Sequence, residues 1–200
     1  DLIISASGNA GMGIGARVSF LTGRAYTGSG LVRIPLSGAQ TVGTGTASAY
    51  GLAISGGGDI NGDGFLDALV HNTASGGRIT AYLGAASGFT GATTITYTSD
   101  SPSSADDFFG RWMGLGRHPW LMTLGDVDGD RVADIYAGSQ QNGTMPGTSH
   151  LFYRDGSTTA GVRSDSVTFS GASGSGLLQG FHAAYIGDVN GDGSRDLPDA

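Results

Sequence analysis

The stretch GGGDINGDGFLDALV at residues 56–70 decides the fold, because two later stretches of the chain repeat its pattern. They are LGDVDGDRVADIYAG at 124–138 and IGDVNGDGSRDLPDA at 186–200, and all three contain D-x-[DN]-x-D-x-x-x-D. The last Asp of the motif is Asp67, Asp134 or Asp196, so the copies are 67 and 62 residues apart. Recurrence at a nearly constant interval is the signature of a repeat architecture. The sequence therefore predicts a repeat protein.

The beginning of the sequence continues the same phase. Asp1 lies 66 residues before Asp67, and DLIISAS at 1–7 matches DALVHNT at 67–73 and DIYAGSQ at 134–140. We therefore expect Asp1 to be the ninth member of a fourth acidic loop, whose first eight residues are not in this sequence.

Strands are predicted from apolar residues that alternate with polar ones at period two. Each begins at the last Asp of a motif or follows a Gly- or Ser-rich turn. Second strands are predicted at 15–21, 77–84 and 149–156, third strands at 31–36, 93–99 and 164–170, and fourth strands at 50–58, 121–125 and 180–187. Four strands in a unit of about 65 residues is the content of one β-propeller blade. The predicted fold class is all-β, with about three four-stranded antiparallel blades, in approximate units 1–66, 67–133 and 134–200, within a larger propeller or assembly.

The composition agrees with short strands and tight turns and excludes several functions. Gly is 38 of 200 residues, Lys and Glu are absent, and all 17 acidic residues are Asp, which prefers turns and caps. A net charge of −7 argues against nucleic acid as a partner, because phosphate binding needs a basic patch. No apolar run approaches the roughly 20 residues of a membrane span, so no membrane insertion is predicted. The absence of Cys excludes a disulfide scaffold.

The chain resembles the FG-GAP repeats of integrin-α propellers and their bacterial relatives. Besides the acidic motifs, the resemblance rests on the pairs Tyr50-Gly51, Phe109-Gly110 and, more weakly, Gln179-Gly180. The second pair lies eight residues further from its motif than the others, which implies an insertion around RWMGLGRHPW at 111–120. The GAP tripeptide of the family is replaced by SAS, HNT and GSQ. The resemblance implies calcium-binding propeller repeats that lie outside the cell or on its surface.

The three acidic loops are predicted to bind Ca²⁺, a hard cation that takes six to eight oxygen ligands. The D-x-[DN]-x-D spacing places alternate side chains on one side of a tightly curled loop, the seventh residue supplies a carbonyl, and the ninth Asp closes the shell. Without a cation, three or four carboxylates in one loop repel one another. The predicted ligands are Asp59, Asn61, Asp63, the Phe65 carbonyl and Asp67; Asp126, Asp128, Asp130, the Val132 carbonyl and Asp134; and Asp188, Asn190, Asp192, the Ser194 carbonyl and Asp196.

The three loops differ in charge and in one turn residue. The second loop has four carboxylates, and it carries Arg131 where the others have Gly64 and Gly193. That position needs a left-handed backbone, which costs a non-Gly residue roughly 1–2 kcal/mol. The extra carboxylate favours a cation and the arginine opposes it, and the sequence leaves the balance open. An EF-hand or dockerin loop needs an acid at position twelve, which only the third loop has, at Asp199.

Other candidate sites are weaker. None of the four His residues stands in a metal-binding spacing, and His71 and His182 are predicted to be core or turn residues. No G-x-S-x-G elbow is present, and GNAGMGIG at 8–15 precedes a strand rather than a helix. Trp112 and Trp120 either form a binding loop or pack against a neighbouring blade.

The first functional hypothesis is a calcium-stabilised adhesion, recognition or structural scaffold that binds a protein or glycan and is not an enzyme. The alternatives are the non-catalytic propeller portion of a secreted enzyme, of the glycan lyase or phospholipase type, and a sugar-binding lectin propeller. Three blades are fewer than the four to eight that close a propeller. We therefore expect further repeats or sister subunits to cover the open edges.

Overall fold

The structure is a computed structural model that describes residues 2–6, 15–21, 39–45, 50–51, 53–72, 78–89, 92–98, 120–139, 148–156 and 166–170. All regular secondary structure in these segments is β, which confirms the all-β prediction for this part of the chain. The strands are β1 Leu2–Ala6, β2 Ala16–Leu21, β3 Gln40–Gly45, β4 Ile54–Gly58, β5 Asp67–Asn72, β6 Arg78–Tyr82, β7 Thr94–Thr98, β8 Trp120–Gly125, β9 Asp134–Ser139, β10 Thr148–Phe152 and β11 Ser166–Ser170. Within these segments there is no helix long and apolar enough to cross a membrane.

The strands form three antiparallel sheets in which sequence neighbours pair. The first sheet is β1-β2-β3, the second is β4-β5-β6-β7, and the third is β8-β9-β10-β11. The second and third sheets each begin with the strand that precedes an acidic loop, and the following strand begins at the last Asp of that loop. Over the described residues the sheets do not close into a ring.

Each of the first two acidic loops follows a strand whose pairing is interrupted by a β-bulge. The pairing of β4 with β5 shifts between Gly56 and Gly58, where Gly57 has a φ of 100°. The pairing of β8 with β9 shifts in the same way between Thr123 and Gly125, where Gly125 has a φ of 84°. A positive φ is accessible to glycine without steric cost. The extra residue bends the strand and directs each loop away from the ladder.

Two apolar clusters join the sheets face to face. Val18 and Val42 of the first sheet pack with Val70 of the second, together with Tyr50 and Phe89. A separate cluster joins the second and third sheets. It contains Ile60, Leu69, Ile79, Ala81, Leu83, Ile95, Tyr97, Ala133, Ile135, Ala137 and Phe152. The sheet faces that meet at these two clusters are therefore buried against one another.

The Tyr50-Gly51 pair lies at the junction of the first two sheets. Tyr50 is buried, and its hydroxyl is 2.7 Å from that of Tyr82. Gly51 has a φ of 73°, and a Cβ at that position would lie 3.0 Å from Val18 Cγ2. Its amide donates a 2.8 Å hydrogen bond to the His71 carbonyl. Only glycine allows this approach, which explains the Gly of the aromatic-Gly pair.

The third strand of the first sheet differs from its prediction, and several other predictions concern residues outside the described segments. The third strand of the first sheet is β3, at Gln40–Gly45, and not the predicted 31–36. Pro35 interrupts the 31–36 run and has no amide to donate, whereas β3 supplies β-branched residues, including Val42 in the core. His71 lies within β5 and is 1% exposed, which makes it a core residue. Outside the described residues lie 31–36, 180–187, Phe109-Gly110 and Gln179-Gly180.

Candidate metal centre

Three carboxylates of the second acidic loop converge. One oxygen from each of Asp126, Asp128 and Asp130 lies within 4.8 Å of the others. Asp126 is partly exposed, and Asp128 and Asp130 are exposed. The group lies on an irregular loop between β8 and β9, where solvent reaches it. Hard oxygen ligands at this separation can hold a metal ion.

Backbone amides hold the carboxylates of the second loop in place. Asp126 accepts hydrogen bonds from the Gly129 amide at 2.6 Å and from the Arg131 amide at 2.7 Å. Asp128 accepts a 3.2 Å bond from the Asp130 amide. Asp130 accepts a 2.8 Å bond from the Val132 amide. The loop curls around its own side chains because Asp readily bonds to an amide two residues further on.

The first acidic loop has the same hydrogen-bond pattern. Asp59 accepts bonds from the amides of Gly62, at 2.7 Å, and of Gly64, at 2.7 Å. Asn61 accepts a bond from the Asp63 amide at 3.3 Å, and Asp63 accepts one from the Phe65 amide at 2.9 Å. These match the bonds at the corresponding positions of the second loop. The Asn61 side-chain amide also donates to Asp63 at 2.9 Å, which offsets part of the negative charge.

The ninth Asp of each loop is buried and holds the loop against its sheet. Asp67 is 1% exposed and accepts 2.8 Å hydrogen bonds from the amides of Ile60 and Gly84. Asp134 is 0% exposed and accepts bonds from the amides of Val127, at 2.7 Å, and Arg154, at 2.8 Å. Each carboxylate therefore connects the start of its own loop to the hairpin that follows.

Burial controls the titration of these two carboxyls. It raises the pKa of Asp67 to about 6, although the amides of Gly84 and Ile60 act in the opposite direction. It also raises the pKa of Asp134 to about 6, against the lowering effect of the Val127 and Arg154 amides. The other carboxylates of each loop add to the increase by repulsion. A bound cation would reverse this preference, because it stabilises the ionised carboxylate.

The backbone confirms the left-handed turn that the sequence predicts in both loops. Gly64 has a φ of 87°. Arg131, at the corresponding position, has a φ of 74° and is the one non-Gly residue with positive φ in the described part of the chain. Its amide still donates to Asp126. The second loop thus keeps the geometry of the first and carries the steric cost of a Cβ.

The predicted ligands fall into three groups. Asp126, Asp128 and Asp130 are brought together, and Asp59, Asn61 and Asp63 share one hydrogen-bonded turn. Ligation by Asp67 and Asp134, and by the Phe65 and Val132 carbonyls, stays a prediction. The third loop, with Asp188, Asn190, Asp192, Ser194 and Asp196, lies outside the described residues.

Sequence reasoning missed the amides that hold the ninth Asp. Gly84 and Arg154 donate from hairpins 17 and 20 residues away, and no local pattern marks them. Val127 and Ile60 donate from the second position of each motif, where an apolar residue recurs. That recurrence is the one signal in the sequence that could have found part of this network.

Comparison with known proteins identifies no family. No protein-family profile matches the chain, and no curated protein matches it significantly. The function of the chain is therefore inferred from its fold and its acidic loops.

Proposed function

We propose that this chain is a calcium-binding, non-catalytic scaffold of integrin-α-like FG-GAP repeats that works outside the cell in recognition, adhesion or assembly. The observation that supports the proposal most directly is the convergence of Asp126, Asp128 and Asp130 within 4.8 Å. The second and third sheets are its proposed propeller blades, and the acidic loops join the first and second strands of each.

The choice of calcium follows from the chemistry of the donors. All of the predicted ligands are oxygen atoms, which hard cations prefer. Ca²⁺ accepts six to eight oxygens in flexible geometry, whereas Mg²⁺ requires a nearly ideal octahedron and retains several waters. An exposed loop with three carboxylates, nearby carbonyls and access to water suits the larger ion.

Calcium should stabilise the folded chain. A ligand that binds only the folded state at 100 times its Kd contributes about 2.7 kcal/mol, which for a chain of this size raises Tm by about 5–10 °C. We expect EGTA to lower Tm by at least this amount. Excess Ca²⁺ should restore the original Tm, and equimolar Mg²⁺ should not. Coincident curves with and without EGTA would contradict the proposal.

Calorimetric titration of matched variants tests the ligand assignment. Asn61 and Asp128 occupy the same position in two loops. We expect Asp128→Asn to weaken calcium binding at the second loop and Asn61→Asp to strengthen it at the first, because affinity follows the ligand charge. Asp100→Ala, outside the motifs, is the control. Equal effects of Asp128→Asn and Asp100→Ala would refute the assignment.

A further inference from the structure

The first two acidic loops contact each other through a backbone hydrogen bond and through packing around it. The Ala133 amide, at position eight of the second motif, donates at 2.8 Å to the carbonyl of Asp59, which is position one of the first motif. Ile60 is 0% exposed and belongs with Ala133 to the cluster that joins the second and third sheets. A Cβ on Gly62 would lie 3.5 Å from Val132 Cγ2. The start of the first loop therefore packs on the end of the second.

A second contact joins the first loop to the hairpin that holds the second loop. A Cβ on Gly156 would lie 3.1 Å from the Asn61 carbonyl oxygen, so the hairpin closely approaches the first loop. Two residues before Gly156, the Arg154 amide donates a 2.8 Å hydrogen bond to the Asp134 carboxylate. The segment that approaches Asn61 thus also holds the ninth residue of the second motif.

The hydrogen bond from Ala133 to Asp59 restrains two predicted ligands of the second loop. Ala133 lies between Val132, whose carbonyl is one of these ligands, and Asp134, whose carboxylate is another. The Val132 carbonyl and the Ala133 amide belong to one planar trans peptide unit, so they point in opposite directions. Because Asp59 fixes the direction of the amide, it also fixes the direction of the Val132 carbonyl, which points away from the first loop.

The peptide unit between Asp59 and Ile60, which we call the linking peptide, is fixed in turn by the first loop. Its amide, on Ile60, donates to Asp67 Oδ2 at 2.8 Å. The Asp59 carboxylate accepts hydrogen bonds of 2.7 Å from the Gly62 and Gly64 amides. Asp59 and Asp67 are both predicted ligands of the first loop. An ion in the first loop would therefore restrain the linking peptide through both residues.

We propose that the first two acidic loops form one cooperative calcium-binding unit, in which the linking peptide positions the ligands of the second loop. The inference rests on the proposed function, since it requires calcium in both loops. An ion in one loop orders the linking peptide and Ala133, so an ion in the other loop has less ordering to impose. Coupling between two sites is reciprocal, so each loop should bind Ca²⁺ more tightly when the other is loaded.

Repulsion between the two ions acts in the opposite direction, which makes the sign of the coupling diagnostic. A bound Ca²⁺ adds two positive charges to its loop, whereas an Asp→Asn substitution removes one negative charge. A loop that such a substitution leaves empty is therefore one charge more negative than the loaded wild-type loop. Charge alone would then strengthen calcium binding at the neighbouring loop, whereas the loss of ordering would weaken it.

Calcium titration followed by NMR of the backbone amides tests the coupling, because the Gly64 and Gly129 amides lie in different loops and report on them separately. The variants are Asp63→Asn in the first loop and Asp130→Asn in the second. Each removes one carboxylate but keeps an oxygen that can accept from the amide two residues later. Coupling is visible at the loop that fills second in the wild type, so both variants are needed.

The expected result is weaker binding at the loop that was not changed. In at least one of the two variants, the intact loop should bind Ca²⁺ at least about fivefold more weakly than in the wild type. The comparison is made at calcium concentrations at which the glycine amide of the substituted loop does not yet shift.

Two substitutions at the second position of the motifs test the role of the linking peptide. Ile60→Val trims the side chain that packs with Ala133 and leaves every predicted ligand in place. Val127→Ala, at the partly exposed equivalent position of the second motif, is the matched control. In EGTA, the Ala133 amide should exchange its hydrogen faster in Ile60→Val than in Val127→Ala. With calcium, Ile60→Val should also show the smaller coupling factor, measured with the same Asp→Asn substitutions.

Three outcomes would overturn the inference, each for a different reason. If the intact loop binds Ca²⁺ as tightly as in the wild type, or more tightly, in both Asp→Asn variants, the loops are not positively coupled and the proposed calcium binding still stands. If Ile60→Val and Val127→Ala change the exchange and the coupling equally, the linking peptide does not connect the loops. If neither Gly64 nor Gly129 responds to Ca²⁺ in the wild type, the proposed function itself fails and this inference fails with it.

Discussion

Replacing Arg131 by alanine and by glycine isolates the cost of the left-handed turn in the second acidic loop. Arg131 has a φ of 74°, and it is exposed in the loop that contains Asp126, Asp128 and Asp130. Both substitutions remove the positive charge, so the difference between them contains only the cost of the Cβ in the folded turn and the greater freedom of glycine in the unfolded chain. A left-handed residue costs roughly 1–2 kcal/mol, and the greater freedom of glycine in the unfolded chain returns roughly 0.4–1 kcal/mol of this.

The glycine variant should therefore be more stable than the alanine variant by about 1 kcal/mol. For a chain of this size the difference corresponds to about 2–4 °C in Tm. Thermal unfolding in EGTA is the appropriate assay, because it removes any change in calcium affinity from the comparison. Gly64→Ala in the first loop should cost a similar amount, since the φ of Gly64 is 87° and a Cβ there meets no atom within 4 Å.

A control position should respond with the opposite sign. Ala86 is exposed in a turn and is not among the positive-φ residues, so Ala86→Gly should destabilise the chain by roughly 0.4–1 kcal/mol. If Arg131→Gly were no more stable than Arg131→Ala, the backbone of the second loop would not be left-handed in solution. The claim that both loops share one geometry would then fail.

Two further predictions concern the core. Burial lowers the pKa of His71 to about 4, so the folded chain excludes a proton that the unfolded chain binds at about pH 6.5. The contribution of His71 to stability should fall by up to about 3 kcal/mol as the pH drops from about 6.5 to 4, and it is measured by urea unfolding as the difference in pH dependence between the wild type and His71→Gln; parallel pH profiles would contradict this. The variant is needed because Asp67 and Asp134, with raised pKa values, lose stability in the opposite direction, as the pH rises. Ile60→Ala should cost about 2–5 kcal/mol, because Ile60 is fully buried between two sheets, and Val127→Ala, at a partly exposed site, should cost less; equal costs in urea unfolding would refute the role of Ile60 at the junction.

Local patterns were sufficient to predict most strands and the curl of the acidic loops. The period-two runs at 93–99 and 164–170 correspond to β7 and β11. The turn in each loop follows from Asp side chains that bond to amides two to five residues away, so adjacent sequence contains all the partners. The left-handed position was likewise visible, because glycine marks it in two of the three motifs.

Apolar–polar alternation alone did not place the third strand of the first sheet. The 31–36 run has strand character, yet Gln40–Gly45 pairs with β2. The structure makes the choice, because Val42 of β3 packs between the first and second sheets. Such a choice depends on packing against residues that are distant in the sequence, and the alternation within one run gives no information about that packing.

The sequence by itself determined that the described part of the chain is all-β, that acidic motifs recur in phase, and that the carboxylates of the second loop converge. Tertiary structure alone decided what the ninth Asp and the second residue of the first two motifs do. Asp67 accepts a hydrogen bond from an amide 17 residues away, and Asp59 of the same loop accepts one from Ala133, which directly precedes β9 of another sheet. The physical reason is that burial and hydrogen-bond partners depend on which surfaces meet in space, whereas turn geometry depends on neighbours along the chain.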